Sequence, residues 1–544
     1  MTTTQTSPAQ QESTRAQTDY DAVIIGAGFS GMYQLHKLRG QGISAHVYEA
    51  GDDVGGTWYW NRYPGARCDI ESVHYSFSFD EDLQQEWNWS ERYAAQPELL
   101  TYAQHIAERY DLRRDITFGT RVEGMDWDED DAVWTVRLSD GSEVRSRFVI
   151  AATGTLSKPQ RPAFDGLEDF EGELYYTSSF PHEGVDLSGK RVAVVGTGSS
   201  GLQTITAIAP EVGTLTVFQR TPSFAVPAHN GPLPPELLGD VKARYDEIRA
   251  ADRASRTGVD FEPRPELLEE VPPDDVRAEF DKRWDNGGLG FSSGFADVLI
   301  NPVANDVAAE YVREKIRETV TDPEIAEKLS PRTYPIASKR MCIDTGYYET
   351  FNRDNVSLVD VHENPIERFT KKGIVAGGTE HEFDVVILAT GFDAMTGALT
   401  SMNITAGDRS LSEEWVHGPH TYLGLMAEGF PNLFMITGPG SPSVLTNMIT
   451  SIEYHVDWVS RALTDLRERD AQRIEPWPEA QDHWTHVVND LGALTLMPQA
   501  NSWYMGANIP GKERIFMPFV GGHAAYVQVA EGVVVAGYHG FEIS

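Results

Sequence analysis

The sequence predicts an α/β protein built from two dinucleotide-binding, Rossmann-like domains, with a helical insertion in the second. Three observations carry that prediction. A G-x-G-x-x-G turn occurs twice, at Gly26-x-Gly28-x-x-Gly31 and at Gly196-x-Gly198-x-x-Gly201. Each turn follows a short apolar run that reads as a buried parallel strand and leads into apolar residues at helical spacing. Two further apolar runs end alike, at Thr153-Gly154 and Thr390-Gly391, as strands do where a chain passes between two nucleotide-binding domains.

In chain order, residues 1–19 are rich in Thr, Gln and Ser and lack the basic and apolar segments of a signal peptide, so they read as a disordered tail. The first unit then runs from a strand at Ala22–Ile25, through the glycine turn, into a helix with Met32, Leu35 and Leu38 on one face. The glycines permit a tight turn and close backbone approach, and the helix N-terminus directs amide N–H groups at a pyrophosphate. The following run, SAHVYEA, ends at Glu49, placed to accept hydrogen bonds from a ribose. The second unit repeats this with a strand at Arg191–Val195, Ser199 and Ser200 inside the turn, and Leu202, Ile205 and Ile208 on the helix. Its next strand ends instead in Gln219 and Arg220. An Arg there attracts a 2′-phosphate that a carboxylate would repel, so the second site reads as NADP. Two such units imply a flavoprotein with FAD in the first and NADPH in the second, a hydride donor against a flavin. The expected FAD domain is discontinuous, residues 20–154 and 390–544, around an NADP domain at 155–389 whose insertion spans about 223–334. Within the insertion, 235–254 and 305–320 read as charged amphipathic helices.

At 544 residues the chain exceeds one ordinary core. Its 82 acidic against 45 basic residues give a net charge of −37, which argues against nucleic-acid and membrane partners. No apolar run has the length of a membrane span. Only Cys68 and Cys342 are present, which suits a reducing cytoplasm and supplies no redox pair. Disulfide reductases of this architecture need such a pair, so electrons are expected to leave the flavin for oxygen. The literal G-x-S-x-G at 290–294 follows a glycine-rich loop rather than a strand, and His483 and His486 have no third metal ligand nearby, so neither a hydrolase nor a metal site is expected.

The stretch GGTWYWNRYPGARCDIES carries Gly55, Gly56, Trp58, Tyr63, Pro64, Gly65 and Asp69 in the spacing of the Baeyer–Villiger monooxygenases. The resemblance to that family continues from about Tyr20 to the C-terminus, through LATGFDAMTGAL, GPGSPS and SWYMGANIPGK. It implies an FAD enzyme that uses NADPH and O2, through a C4a-peroxyflavin, to turn a small ketone into an ester or lactone. It further implies that Arg340 is the cation beside the flavin and that Asp69 orients it, with Trp58 and Asp69 at the flavin. Lys339, Arg220 and Thr221 would hold the 2′-phosphate, and Trp503 the nicotinamide cofactor. Ser441, Val444 and Leu445 would line the substrate pocket. Aromatic, cyclic and linear ketones are all compatible, and the oligomeric state stays open, a monomer being compatible. One departure stands out: the family fingerprint F-x-G-x-x-x-H-x-x-x-W, a linker in the family, matches at Phe170 and Gly172 but has Tyr176 for its His and Phe180 for its Trp. The phenol retains a hydrogen-bonding group but not the imidazole's titration. Two alternatives therefore stay open: a sulfur- or nitrogen-oxidising flavin monooxygenase, and an uncoupled NADPH oxidase or redox-sensing flavoprotein.

Overall fold

Strand Tyr20–Ile25 lies near the middle of a nine-stranded sheet, with Ala22, Val23 and Ile24 wholly buried. Parallel neighbours flank it on both edges, Ala45–Tyr48 and Glu143–Ala151, which explains its unbroken apolar run. The structure is a computed structural model that describes residues 17–544, so residues 1–16 of the expected tail lie outside it. Glu143–Ala151 divides its far edge. Its first half pairs antiparallel with Val133–Leu138, and its last three residues take Leu433–Met435 in parallel. The same sheet thus collects strands from both ends of the chain.

The second sheet has five strands, all parallel, in the order Val356–Asp360, Thr214–Gln219, Arg191–Val195, Val385–Leu388, Glu173–Tyr176. Its edge strand is part of the stretch expected as a linker. The aromatic run at Leu174–Tyr176 fits a pleated, half-buried edge, and it pairs with Val386–Leu388, Tyr176 opposite Leu388. Arg161 lies over the Tyr176 ring, 3.8 Å from its centre, and Phe180 is buried against Tyr175.

Helices Phe29–Gly40 and Ser199–Ile208 bury the expected faces: Met32, Leu35 and Leu38 in one, Leu202, Ile205 and Ile208 in the other. The segment after Thr221 carries helices Pro235–Ala243, Tyr245–Ala254, Pro273–Asn286 and Pro302–Thr319. The G-x-S-x-G stretch coincides with a short 3-10 turn, Leu289–Ser293. Among the described residues, no helix is long and apolar enough to cross a membrane.

The chain passes between the sheets twice, and the two passages run antiparallel side by side. Gln160 N donates to Gly391 O at 3.0 Å, Asp393 N to Lys158 O at 2.9 Å, and Met395 N to Thr155 O at 2.9 Å. Both Ala-Thr-Gly endings thereby enter one paired ribbon.

Candidate active site

The two glycine turns share one geometry. Gly26 and Gly196 have φ of 102° and 109°, and a β-carbon on them would lie 2.8 Å from Ala152 O and 2.6 Å from Ala389 O, the carbonyls at the starts of the two passages. A β-carbon on Gly31 or Gly201 would fall onto the carbonyl of Gly26 or Gly196, so the third glycine lets the helix sit against the strand end. Around Gly198 nothing lies within 4 Å of the β-carbon position, and at Gly28 only the backbone of Gly56 does. Both helix N-termini therefore leave room for an anion to approach the backbone.

Beyond the first turn, the buried Glu49 carboxylate accepts from Ala27 N and Gly51 N, both at 2.7 Å, and so fixes the turn. The backbone register sets its counterpart. Gly26 N donates to Tyr48 O and Gly196 N to Phe218 O, which gives Gln219 the place in the second unit that Glu49 has in the first, with Arg220 one residue further. Gln219 is buried and turned to Lys328 O, whereas Arg220 is exposed and paired with no carboxylate among the described residues. Thr221 follows, its carbonyl accepting from Thr197 Oγ1. Lys339 stands close to Arg220 and over the Tyr334 ring, 4.5 Å from its centre. Burial, reinforced by the Arg220 charge, lowers the Lys339 pKa to about 8. The two cations repel each other, and neither forms an ion pair with a carboxylate among the described residues.

The tryptophan-rich motif links the two turns to a third feature. It starts on the first turn, where Gly55 N donates to Ala27 O and Gly56 packs on Gly28. Trp58 is buried, its indole N–H on the Tyr75 hydroxyl at 3.3 Å. The motif then crosses to the second nucleotide unit, where Gly65 lies against the backbone of Gln203. It ends at Asp69, whose two oxygens accept from Arg340 Nε at 2.8 Å and Nη2 at 2.7 Å. Arg340 Nη1 donates to Val444 O at 2.8 Å. One N–H on each terminal nitrogen is left over from these three bonds, and the Tyr504 hydroxyl is a further hydrogen-bond partner of the guanidinium. Burial opposes the Arg340 charge, but the Asp69 carboxylate outweighs it, and the guanidinium stays cationic.

Next to this pair lies an apolar cluster that includes Val444, Tyr504, Met395, Met497, Met505 and Met517, with Leu445 and Trp503 packed against it. Trp503 contacts Tyr504 at 4.4 Å between ring centres. Burial pushes the Tyr504 phenol up to about 12, partly offset by Arg340 beside it. Ser441 is placed differently: it is fully buried, its hydroxyl donates to Gly438 O at 2.7 Å, and it packs against Gly424. Tyr504, Gln203 and the methionines were not singled out from the sequence. Only the neighbourhood of Tyr504, next to Trp503, gave any hint of it.

Comparison with known proteins agrees with this geometry. Residues 23–255 match the family model described as pyridine nucleotide-disulphide oxidoreductase, although Cys68 and Cys342 are both unpaired here. The chain is similar to a Baeyer–Villiger monooxygenase of Pseudooceanicola batsensis, 42% identical with 96% of this chain and 95% of that protein covered. It is similar also to the acetone monooxygenase (methyl acetate-forming) of Gordonia sp. strain TY-5, 40% identical over 97% of this chain and 99% of that one. Among solved structures it superposes on the OTEMO complex with FAD and NADP, with a TM-score of 0.94, 38% identity, and 97% of this chain and 100% of that chain covered. With near-complete coverage at these identities, and with the tryptophan-rich motif ending on a paired arginine, the chain belongs to the Baeyer–Villiger monooxygenase family.

Proposed function

We propose that the chain catalyses ketone + NADPH + H+ + O2 → ester or lactone + NADP+ + H2O, with FAD as resident cofactor. The observation that carries the reading is the Asp69–Arg340 pair, which fixes a cationic guanidinium beside an apolar cluster and at the end of a motif anchored on the first nucleotide turn. The relative named for forming methyl acetate from acetone and the solved complex with FAD and NADP support it.

In this reading Gly26, Gly28, Gly31, Glu49 and Trp58 hold FAD, within a domain formed by residues 20–154 and 390–544. Residues 155–389 form the NADPH domain. There Gly196, Gly198, Ser199, Ser200 and Gly201 receive the pyrophosphate, and Arg220, Lys339 and Thr221 the 2′-phosphate. Trp503 packs on the nicotinamide end. Bound FAD supplies the hydride acceptance and oxygen chemistry. Arg340 meets the requirement for a fixed cation where negative charge gathers on oxygen, and Asp69 removes its freedom to turn away. The methionine-rich wall keeps water from that charge, and its flexible side chains adapt to ketones of different outline. Val444 and Leu445 shape the pocket directly, whereas Ser441 acts by fixing the loop that carries them. The reaction suits the cytoplasm, where two buried, unpaired cysteines stay reduced.

A product balance tests the reading. Purified holoenzyme with NADPH, air and a panel of aryl, cyclic and linear ketones is expected to form ester or lactone in proportion to NADPH consumed. Hydrogen peroxide in place of ester across the whole panel, with oxygenated product from a sulfide or amine panel, would overturn it.

A further inference from the structure

Gln203 stands two residues after the last glycine of the second turn, on the helix Ser199–Ile208. Both ends of its side-chain amide are engaged by the tryptophan-rich motif. Its Oε1 accepts from the Tyr63 hydroxyl at 2.8 Å, and its Nε2 donates to Arg67 O at 3.1 Å. Between those two contacts the motif touches the helix backbone itself. A β-carbon on Gly65 would lie 2.5 Å from Gln203 O and 2.9 Å from the β-carbon of Ala207, and Gly65 has φ +80°. From the far side the loop is held by Arg67 Nη1 on Tyr93 O and by Cys68 N on Ala94 O at 3.1 Å. Two residues beyond Arg67 is Asp69. The first residue of the same helix reaches the strand that follows the other partner: Ser199 Oγ is 3.6 Å from Cys342 Sγ, two residues beyond Arg340. One short helix thus touches the chain near both members of the ion pair.

We propose that Gln203 is a positioning residue that couples occupation of the second nucleotide site to the placement of Asp69 and Arg340. The proposal rests on the cofactor assignment made above. The helix begins at the turn that would take the pyrophosphate, and a helix moves as a stiff unit. A displacement on nucleotide binding is passed through the Gln203 amide to the Arg67 backbone, and through Ser199 to the strand that follows Arg340. An amide suits this task because it is donor and acceptor at once and has one orientation that satisfies both partners. Leu matches its bulk without either bond. Glu keeps the acceptor for Tyr63 but turns a second anionic oxygen toward Arg67 O.

The test is hydrogen exchange of the FAD-loaded enzyme with and without NADP+, read in peptides covering Tyr63–Asp69, together with NADP+ titration and the ester-to-NADPH ratio. In the unaltered protein NADP+ is expected to slow exchange in this loop by about fivefold or more. In Gln203→Leu the protection should fall to less than about twofold, with peroxide replacing ester, while FAD content and NADP+ affinity stay within about threefold. Gln203→Glu should resemble Gln203→Leu, because the lost donor is the link to Arg67. Protection and coupling that match the unaltered protein in Gln203→Leu would overturn the proposal. Should that variant fail to fold, Tyr63→Phe, which removes one bond of the pair, serves instead: a partial loss of protection supports the coupling and an unchanged pattern overturns it. Absence of NADP+ binding in the unaltered protein would overturn the cofactor reading, and the proposal with it.

Discussion

Arg340 and Asp69 lie 271 positions apart in the chain, yet two hydrogen bonds place the guanidinium flat against the carboxylate. A paired fork of this kind defines direction as well as charge, which is why its loss should affect chemistry more than folding. Arg340→Ala is expected to retain FAD but to lower ester formation by about 10²–10³-fold or more, the usual effect of deleting a donor to a developing oxyanion. Ester yield near that of the unaltered enzyme would remove Arg340 from the mechanism. Lys339 gives a second prediction, with a sign set by its environment. Its pKa is lowered to about 8 in the empty site, mainly by burial and then by Arg220, and a bound 2′-phosphate raises it again. Affinity for NADPH is therefore full below pH 8 and falls as pH rises through 8, until the bound-state pKa is reached. The KM for NADPH should rise above pH 8 while that for NADH stays flat, and Lys339→Met should abolish the slope. A parallel rise for both dinucleotides would mean that Lys339 does not meet the phosphate. Arg220→Ala should likewise weaken NADPH by about tenfold with little change for NADH. Arg220 could be singled out from residue type and motif position, whereas Arg340 and Lys339 were pointed to only by the family resemblance. Gln203 and Tyr504 were legible in neither way, because a glutamine on a helix and a tyrosine in a loop acquire meaning only from what tertiary folding sets against them.

At the scale of elements, the repeated glycine turn separates two demands that the sequence motif merges. Gly201 is required by packing, since a β-carbon there would fall onto the Gly196 carbonyl. Packing makes no such demand at Gly198, so only the proposed nucleotide would require a glycine there. The φ of −74° at Gly198 is open to any residue and its β-carbon position is empty. Gly201→Ala is expected to destabilise the protein by about 2 kcal/mol or more, as overpacking does. Gly198→Ala should leave stability within about 1 kcal/mol and weaken NADP+ by about tenfold or more, through the methyl group placed where the phosphate approaches. Thermal unfolding beside NADP+ titration checks both. Equal stability losses in the two variants would mean that the turn is not built as described. The strand–turn–helix units themselves were readable because their apolar runs and glycines are local signals. The route of residues 55–69 was not, since that irregular backbone is directed by contacts with Gly28, Gln203 and Arg340, from three distant parts of the chain. The segment Glu173–Tyr176, expected as a linker, shows the opposite case. Its aromatic run finds an open sheet edge, and pairing with Val385–Leu388 makes it a strand.

For the whole molecule, the acidic surface and the basic nucleotide site should answer salt in opposite directions. The net charge of −37 opposes compaction through self-repulsion, which added ions screen, with the Debye length contracting from about 20 Å to about 6 Å between roughly 20 and 300 mM NaCl. Many exposed ion pairs are screened as well, but each contributes little, so the net repulsion should dominate. The melting temperature is therefore expected to rise by several degrees over that range. The attraction of Arg220 and Lys339 for a 2′-phosphate is weakened by the same ions, so the KM for NADPH should increase severalfold as the protein becomes more stable. NADH, which lacks that phosphate, supplies the control, and its KM should change much less. If melting temperature fell with salt, the surface ion pairs would outweigh the net charge. If NADPH and NADH responded alike, the phosphate would not be read by those two cations, and the assignment of the second site to NADP would lose its electrostatic basis.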